Sequence, residues 1–351
     1  MNKSWPTKKP ELEFCSATDK FGNPLGFLTK RSDTKKAKVS PLEFDRSLFA
    51  DDAAFIFLSR VDLETGIKFI DEYFTKFGLK VHLGTRKATG KDEKSKTEFM
   101  HIPKRGCTSS EADIADIAVG ENRFISYCTK FKYLGSWISN DLDDKWDFEA
   151  RIKMGEYAFR DMTPILLNKK IKLSIRASFY KSLIVNIALW GCESWAITDT
   201  QMKQLEVMQN RHVRRMCKVY KRQCKDYHVR MEDLFKRAKI PKIGSTLRLR
   251  QLRFLENNVA RAPPERLTRL IVLSQAKRPP NFKFRNKRTT IQESYRSTLE
   301  HAGLCKKGDS GIFSSWIPRL TSPYIGVDID ENLGLPKGTY QQGRRSFRQR
   351  T

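Results

Sequence analysis

Two adjacent carboxylates, Asp51 and Asp52, lie between two apolar segments of the chain. Residues 46–58 read Arg-Ser-Leu-Phe-Ala-Asp-Asp-Ala-Ala-Phe-Ile-Phe-Leu, a pattern that predicts a β-hairpin with both carboxylates at its tip. Carboxylates that bridge two divalent cations about 4 Å apart support nucleotide polymerisation, because one cation lowers the pKa of a 3′-hydroxyl and the other neutralises the leaving pyrophosphate. An isolated Asp-Asp pair is usually a turn or a helix cap, so this chemistry depends on the surrounding elements.

A predicted helix follows the hairpin directly. Apolar residues recur at spacings of three and four over residues 63–77, Asp62 can cap the amino end, and Gly78 can end the helix. A tight turn between buried strands holds ligands rigidly. The position of Asp51 and Asp52 between apolar strands, just before an amphipathic helix, therefore favours the metal-binding interpretation.

The other predicted elements form a mixed region and then a helical one. Residues 1–45 are interpreted as irregular, with one short hairpin as the alternative, and residues 103–128 as an insertion. Further strands are predicted at residues 79–83 and 97–102, and as a pair within 131–138. Helical periodicity dominates from residue 146, with helices predicted at 146–167, 173–190, 199–219 and 246–261. The third of these begins with a capping box formed by Thr198 and Gln201.

The positive charge is concentrated in the helical region. The 351 residues carry a net charge of +27, and residues 151–300 contribute +22, with 34 Lys and Arg against 12 Asp and Glu. A local field of this sign attracts polyanions, most commonly nucleic acid, and a solvated surface is the plain alternative. The longest apolar runs are far shorter than the ~20 residues that cross a bilayer, so no membrane partner is expected.

The cysteines and histidines predict neither a disulfide framework nor a zinc site. Seven cysteines are spread along the chain without a Cys-x-x-Cys pair, which is typical of reduced thiols in an intracellular compartment. His212, Cys217, Cys224 and His228 are possible zinc ligands, but their spacing matches no common zinc-site pattern. They are interpreted as ordinary helix and loop residues, and zinc is not expected.

The segment at residues 47–55, Ser-Leu-Phe-Ala-Asp-Asp-Ala-Ala-Phe, resembles the aromatic-Ala-Asp-Asp motif of reverse transcriptases, and most closely that of non-LTR (LINE-type) retrotransposons. Further stretches resemble segments of that family in the same order. They are Phe-Gly-Leu-Lys-Val-His at 77–82 with Lys-Thr-Glu at 96–98, the strand pair at 131–138, Leu-Trp-Gly-Cys-Glu-Ser-Trp at 189–195, the basic helix at 205–215 and the stretch at 247–267. The resemblance covers residues 42–305.

The resemblance implies the activity of an RNA-directed DNA polymerase and a set of site residues. Asp51 would be the metal ligand and Asp52 its supporting neighbour, with Mg²⁺ or Mn²⁺ as the cofactor. Phe49 and Ala50 would lie beside the primer terminus and the incoming nucleotide. Lys96 would lie near the pyrophosphate, in competition with Lys87, Lys91 and Lys94.

The resemblance also implies contacts with nucleic acid. Tyr133, Leu134 and Gly135 would grip the primer strand, the plain alternative being an ordinary hairpin. Trp190 and Trp195 are interpreted as core residues rather than as platforms for base stacking. The implied partners are an RNA template and a DNA primer, the implied location is nuclear, and no oligomeric state follows. The arginines expected to contact the nucleic-acid backbone are Arg211, Arg214, Arg215, Arg248, Arg250 and Arg253.

The predicted fold class is α+β. It comprises a partial polymerase palm, with a β-hairpin and a packed helix, followed by an all-helical basic thumb and a C-terminal extension. The predicted segments are an irregular stretch at 1–45, the partial palm with primer-grip strands at 46–140, the helical thumb at 145–225, the basic helical extension at 226–305 and a poorly ordered tail at 306–351.

The sequence departs from the family pattern ahead of the hairpin. Residues 1–45 contain neither the Ala-Phe context of a third carboxylate nor a Gln-Gly pair, and Asp45 is only six residues before Asp51. His82 replaces the family's Asn, and the acidic run at 141–147 is interpreted as a solvated turn and helix start. We therefore expect a reverse-transcriptase fragment that does not polymerise alone. The alternatives are a non-catalytic nucleic-acid-binding protein derived from such an element and an unrelated basic helical scaffold.

Overall fold

The computed structural model describes residues 5–7, 46–87, 90–104, 107–263, 266–273, 290–305, 316–322 and 327–341, and the backbone alone of residues 11–17, 37–43 and 275–276. The chain forms two units. The first comprises Met1–Glu13 and Pro41–Asp147, and the second comprises Phe14–Ser40 and Phe148–Thr351. Helices and strands both occur, so the fold class is α+β as predicted. The five predicted segments are finer than these two units and stay a prediction.

Short strands dominate the part of the chain before residue 140. The strands are β1 (Glu11–Ala17), β2 (Ala37–Glu43), β3 (Arg46–Phe49), β4 (Asp52–Phe55), β5 (Gly84–Thr85), β6 (Glu98–Phe99), β7 (Ile117–Ala118), β8 (Arg123–Tyr127), β9 (Lys130–Tyr133) and β10 (Ser136–Ser139), and the helices are α1 (Arg60–Thr75) and α2 (Glu111–Ile114). The sequence predicted irregular structure before residue 46, with one short hairpin as the alternative, and β1 and β2 are neighbouring strands of one sheet there. The apolar-polar alternation of Glu-Leu-Glu-Phe in β1 is a strand pattern.

The core of the first unit lies between α1 and a small mixed sheet. Strand β8 is central, pairing antiparallel with β5 and β7 and parallel with β6. Ile67 of α1 packs into a cluster with sheet and loop residues that include Phe99, Ile117 and Ile125. The central strand of this sheet therefore comes from residues 103–128, which the sequence predicted to be an insertion.

Helix α1 begins and ends earlier than predicted. The Ser59 hydroxyl accepts a hydrogen bond from the Asp62 N–H at 3.1 Å, so Ser59 is the N-cap and Asp62 lies in the first turn. Gly78 follows the helix with φ +72°, as the sequence predicted. No strand forms at residues 79–83, because the Leu83 N–H bonds to the Val81 carbonyl in a tight local turn.

The second unit is mainly helical. Its helices are α3 (Lys145–Asp161, which begins just before the unit boundary), α4 (Thr163–Leu166), α5 (Leu173–Phe179), α6 (Asn186–Ala188), α7 (Asp199–Cys217), α8 (Lys221–Asp226), α9 (Met231–Ala238), α10 (Ile243–Leu255), α11 (Leu267–Leu273), α12 (Ile291–His301), α13 (Trp316–Thr321) and α14 (Ile329–Asn332). Tyr180–Val185 and Glu256–Ala260 are π-helical, Cys192–Ser194 is a 3₁₀ turn, and β11 (Gln275–Ala276) pairs antiparallel with β1 through Phe14 and Cys15.

Helix α10 joins the two hydrophobic clusters of the second unit. Leu247 belongs to a cluster that also contains Phe148, and Leu252 to one that also contains Trp316 and Tyr340. The sequence predicted a poorly ordered tail after residue 305, but α13 and α14 pack into this second cluster. Helices α13 and α14 were not predicted because their apolar residues are too sparse to show a helical period.

The predicted helices are present with breaks that have local causes. The predicted helix at 146–167 divides into α3 and α4 at Met162, because Pro164 in the first turn of α4 lacks an N–H to continue the hydrogen bonding of α3. The one at 173–190 runs through α5, a π-helical turn and α6. The Thr198 capping box is confirmed. Within the described ranges, no helix is both long and apolar enough to cross a membrane.

Candidate carboxylate site and nucleic-acid interface

The predicted hairpin is confirmed, with the carboxylates at its turn. Strands β3 and β4 pair antiparallel, with Phe49 opposite Asp52, so Ala50 and Asp51 form a two-residue loop. Ala50 has φ +53°, a left-handed conformation that is uncommon for alanine. Both carboxylates are exposed, as is the Phe49 ring. They are therefore accessible to a cation or to another molecule from solvent.

An aromatic cluster supports the base of this hairpin. The Trp5 ring stacks on Phe55 with ring centroids 5.7 Å apart and meets Phe69 of α1 edge-on at 5.8 Å. The Arg46 guanidinium lies 5.2 Å from the centre of the Trp5 ring. No structural role was predicted for Trp5 from the sequence. A large aromatic residue within a polar stretch was the signal that could have indicated it. Trp5 ties the hairpin to α1.

The strand pair predicted within residues 131–138 is also present. Strands β9 and β10 pair antiparallel, with Tyr133 opposite Ser136. Leu134 has φ +48° and Gly135 φ +86°, so both turn residues are left-handed, as a type I′ turn requires. Glycine takes this conformation freely, but for leucine it is a strained outlier. The Leu134 side chain is 40% exposed at the tip of the hairpin.

A side-chain hydrogen bond joins the two hairpins. The Tyr133 hydroxyl lies 3.1 Å from Ser47 Oγ and 3.4 Å from the Ser47 carbonyl oxygen, and it donates to this pair. Ser47 is on β3, four residues before Asp51. The first unit thus brings together two motifs that are more than 80 residues apart. Ser47 was missed in the sequence because nothing local distinguishes it from any strand serine.

The other predicted site residue of this unit, Lys96, is exposed. Its backbone N–H donates to Nδ1 of His82, the residue that stands where the family has Asn. The hydroxyl of the preceding residue, Ser95, donates to the His82 carbonyl at 3.2 Å. Among the contacts of the described residues, none joins Lys96 to Asp51 or Asp52.

The carboxylate pair is a limited ligand set for a metal. Mg²⁺ and Mn²⁺ accept carboxylate oxygens and can retain several waters, so Asp51 and Asp52 fit one hydrated cation. Across the residues that the structure describes, no group of three or more His, Cys, Asp and Glu could hold an ion. The acidic run at 141–147 is engaged elsewhere, because Asp141, Asp143 and Asp147 accept hydrogen bonds from backbone N–H groups of residues 137–145. Asp147 is buried rather than solvated, and it accepts from the Trp137 N–H at 2.9 Å.

The second candidate surface is a row of cations on α7 of the second unit. A helix turns by ~100° per residue, so the first four of these cations lie within about 120° of one another around the helix axis, and the fifth, Lys218, is the C-cap residue. We call these residues the basic stripe: Lys203, Arg211, Arg214, Arg215 and Lys218. The opposite face of α7 is buried, with Leu205, Met208 and Met216 in the core. The stripe is about 22 Å long, which is the length of about six base-pair steps.

The stripe cations differ in how firmly the protein holds them. Arg211 forms an ion pair with Glu156 of α3, and the Arg215 guanidinium lies 5.1 Å from the centre of the Phe159 ring. No hydrogen bond or ion pair within the described ranges involves the side chains of Lys203, Arg214 or Lys218. These three cations are the ones most available to phosphates.

The three predicted arginines of α10 are half-buried instead of presented to solvent. Arg250 donates to the Leu189 carbonyl at 3.0 Å and to the Asn186 side chain, and Arg253 donates to the Thr339 carbonyl at 2.8 Å. Burial lowers the pKa of Arg253 and of Arg248 from the usual range for arginine. Arg250 and Arg253 thus connect parts of the second unit, and Arg248 lines a cavity.

The two tryptophans of residues 189–195 have different environments. Trp195 is 2% exposed and packs edge-on against Phe148, as the core interpretation predicted. Trp190 is 54% exposed, so that interpretation is wrong for it. It lies in the turn two residues after α6, with the Arg151 guanidinium 5.9 Å from its ring centre.

His212, considered above as a possible zinc ligand, is a buried core residue beneath the stripe. Its ring stacks on Phe159 with centroids 3.9 Å apart, and its Nδ1 lies 3.2 Å from the Tyr180 hydroxyl. Burial lowers the pKa of His212 to about 4, although the Glu156 carboxylate opposes the shift. The imidazole is therefore neutral at pH 7.

Comparisons with protein-family models, with curated proteins and with solved structures found no match to this chain. A functional assignment consequently depends on the residues and geometry described above.

Proposed function

We propose that this chain is the palm and thumb part of a LINE-type reverse transcriptase, which binds an RNA–DNA duplex but does not polymerise by itself. One observation carries the proposal: the hydrogen bond from Tyr133 to Ser47 that joins the Asp-Asp hairpin to the Tyr-Leu-Gly hairpin. In a polymerase palm, a metal-binding turn must lie close to the element that holds the primer end. Two motifs proposed from sequence for these two roles are neighbours in the first unit.

The exposure of the two turns supports the same proposal. Asp51 and Asp52 would hold a hydrated divalent cation, which would supply charge neutralisation at the reacting phosphates when bound. Phe49 and Ala50 would border the nucleotide, and Leu134 at the second turn would contact the primer strand. The strained left-handed geometry of Leu134 is typical of a position kept for a role other than stability.

The incomplete ligand set is the reason for expecting no polymerisation by the chain alone. A two-metal site needs carboxylates from more than one strand to place both cations. Among the described residues, Asp51 and Asp52 have no third ligand near them. The proposed role is therefore binding of nucleic acid, with catalysis only where further ligands are supplied.

A non-catalytic nucleic-acid-binding protein of the same descent is the second candidate, and the basic stripe favours it. Lys203, Arg214 and Lys218 form a row of cations without protein partners in the described part of the chain, and a row of this length suits a duplex backbone. This role would not need the carboxylate pair at all. The two candidates therefore differ in what Asp51 and Asp52 do.

Primer extension and binding measured on one substrate test the proposal. A fluorescent DNA primer annealed to a longer RNA template is titrated with the full chain in Mg²⁺, and deoxynucleotides are then added. We expect saturable binding without extension. Absence of binding would contradict the nucleic-acid function, and extension that Asp51→Ala abolishes would contradict the expected inactivity. The matched control is Asp92→Asn with Glu93→Gln, an adjacent exposed acidic pair elsewhere in the first unit.

A further inference from the structure

A cavity of about 420 Å³ lies in the second unit where α7, α10 and α12 meet. This volume is within the range of pockets that bind small molecules. One side is formed by Ile197 and Met202 at the start of α7, and another by Ser297 of α12. The cavity belongs to neither surface described above.

The floor of the cavity is a fixed polar network. Gln251 of α10 is fully buried, and its side-chain amide donates to Ser294 Oγ at 3.2 Å. Its amide oxygen accepts from the Thr298 hydroxyl at 2.7 Å. Its amide nitrogen also lies 3.3 Å from the carbonyls of Cys192 and Trp195. Because each polar group has a partner, the floor is held in one arrangement and is preorganised for a ligand.

Arg248 is the cationic group of this cavity. Within the described ranges its guanidinium has no hydrogen-bond or ion-pair partner, although Asp199 and Glu206 act on it through space. Removing a cation from water without a partner is unfavourable, and burial accordingly lowers the pKa of Arg248. A carboxylate ligand would supply the missing partner, since the planar guanidinium suits bidentate contact with it.

The other charged groups decide the overall charge of the ligand. Asp199 and Glu293 also line the cavity, so a bare dianion such as phosphate would be repelled. A carboxylate combined with an ammonium group matches Arg248 on one side and Asp199 on the other. Met202 and Leu247 supply apolar surface for the remainder of the molecule.

We propose that this cavity binds a small zwitterion of the apolar α-amino acid class. Its carboxylate contacts Arg248, its ammonium faces Asp199, and its side chain packs on Met202 and Leu247. The proposal does not depend on the nucleic-acid function, and it replaces the role in backbone contact that the sequence suggested for Arg248.

Calorimetric titration of the full chain with matched probes tests this site. The probes are L-phenylalanine, L-leucine, 3-phenylpropionate, which lacks the ammonium, 2-phenylethylamine, which lacks the carboxylate, and inorganic phosphate. We expect at least one of the two amino acids to bind saturably, and each single-charge probe and phosphate to bind at least about 10-fold more weakly. No saturable binding of either amino acid, or equal binding of phosphate, would overturn the proposal.

Two variants assign the binding to Arg248. Arg248→Met keeps the aliphatic stem, and we expect it to weaken amino-acid binding about 10- to 100-fold through loss of charge-assisted hydrogen bonds. Arg222→Met, at an arginine whose side chain is 92% exposed, is the control and should change nothing. Equal affinity in Arg248→Met and wild type would refute the site. If Arg248→Met fails to fold, Arg248→Lys is used instead, because lysine keeps the charge but lacks the planar guanidinium that makes bidentate contacts. Unchanged amino-acid affinity in Arg248→Lys would also refute the site.

Discussion

Neutralising the basic stripe should weaken binding of an RNA–DNA duplex and flatten its dependence on salt. The informative variant changes Lys203, Arg214 and Lys218 together to glutamine, because the described structure gives none of these side chains a hydrogen bond or ion pair. The fold should tolerate this, since all three are at least partly exposed on the side of α7 away from Leu205 and Met216. Arg211 and Arg215 are left unchanged because they contact Glu156 and Phe159.

The size of the effect follows from counterion release. Each phosphate neutralised by a cation contributes about 0.9 to the slope of log K against log salt concentration. Loss of three contacts should make the slope shallower by about 2.7. Between 50 and 200 mM salt, the wild-type chain should then lose about 40-fold more affinity than the variant does.

Fluorescence anisotropy of a labelled RNA–DNA hybrid, measured at several KCl concentrations, gives both slopes. The control changes Lys68, Lys76 and Lys80 to glutamine, which removes the same charge from exposed positions on and after α1. That control should keep the wild-type slope within experimental error. The assignment of phosphate contacts to α7 would be refuted if the slope of log K against log salt concentration were equal in all three proteins. It would also be refuted if the slope decreased equally in the stripe variant and in the control.

Three further predictions concern the folded state. Leu134→Asn should stabilise the first unit by about 0.5–1 kcal/mol in thermal unfolding, because Asn-Gly is preferred in type I′ turns. The same variant should weaken primer binding. A loss of stability would contradict the turn geometry. Trp195→Ala should cost about 3–5 kcal/mol in urea unfolding and Trp190→Ala less than about 1 kcal/mol, and equal costs would contradict their burial. The free energy of unfolding should fall by about 3 kcal/mol as pH decreases from about 6.5 to 4, since the unfolded state binds a proton that buried His212 excludes. His212→Phe should remove that part of the pH dependence, and an unchanged pH profile would contradict it.

The elements with local signals could be predicted from the sequence. The hairpin around Asp51, the paired strands around Gly135 and the capping box at Thr198 each depend on neighbours within a few residues. Turn chemistry, strand alternation and capping act over that distance, so the sequence carries them directly. The start of α1 was misplaced because both Ser59 and Asp62 can cap a helix, and only the folded backbone distinguishes them.

The contacts that define the candidate site depend on residues far apart in the chain. Tyr133 bonds to a serine 86 positions away, and Arg253 to a carbonyl 86 positions away. No spacing or propensity rule reaches that far, because these contacts follow from how the helices and strands pack. The same limit explains why the exposure of Trp190 was not predicted, since burial of a single side chain depends on what packs against it.

Cleavage of bound nucleic acid by iron held at Asp51 and Asp52 is the decisive test of whether these carboxylates bind a metal next to the primer end. Fe²⁺ can occupy oxygen-ligand sites of Mg²⁺, and with ascorbate and peroxide it produces hydroxyl radicals that cut nearby nucleotides. With the full chain on an RNA template carrying a recessed DNA primer, we expect cuts concentrated at the primer 3′ end. These cuts should disappear in the variant Asp51→Asn with Asp52→Asn and persist in Asp92→Asn with Glu93→Gln. Uniform cutting, or cutting at the primer end that survives loss of both carboxylates, would contradict the assignment of Asp51 and Asp52 as the metal-binding turn of a polymerase palm.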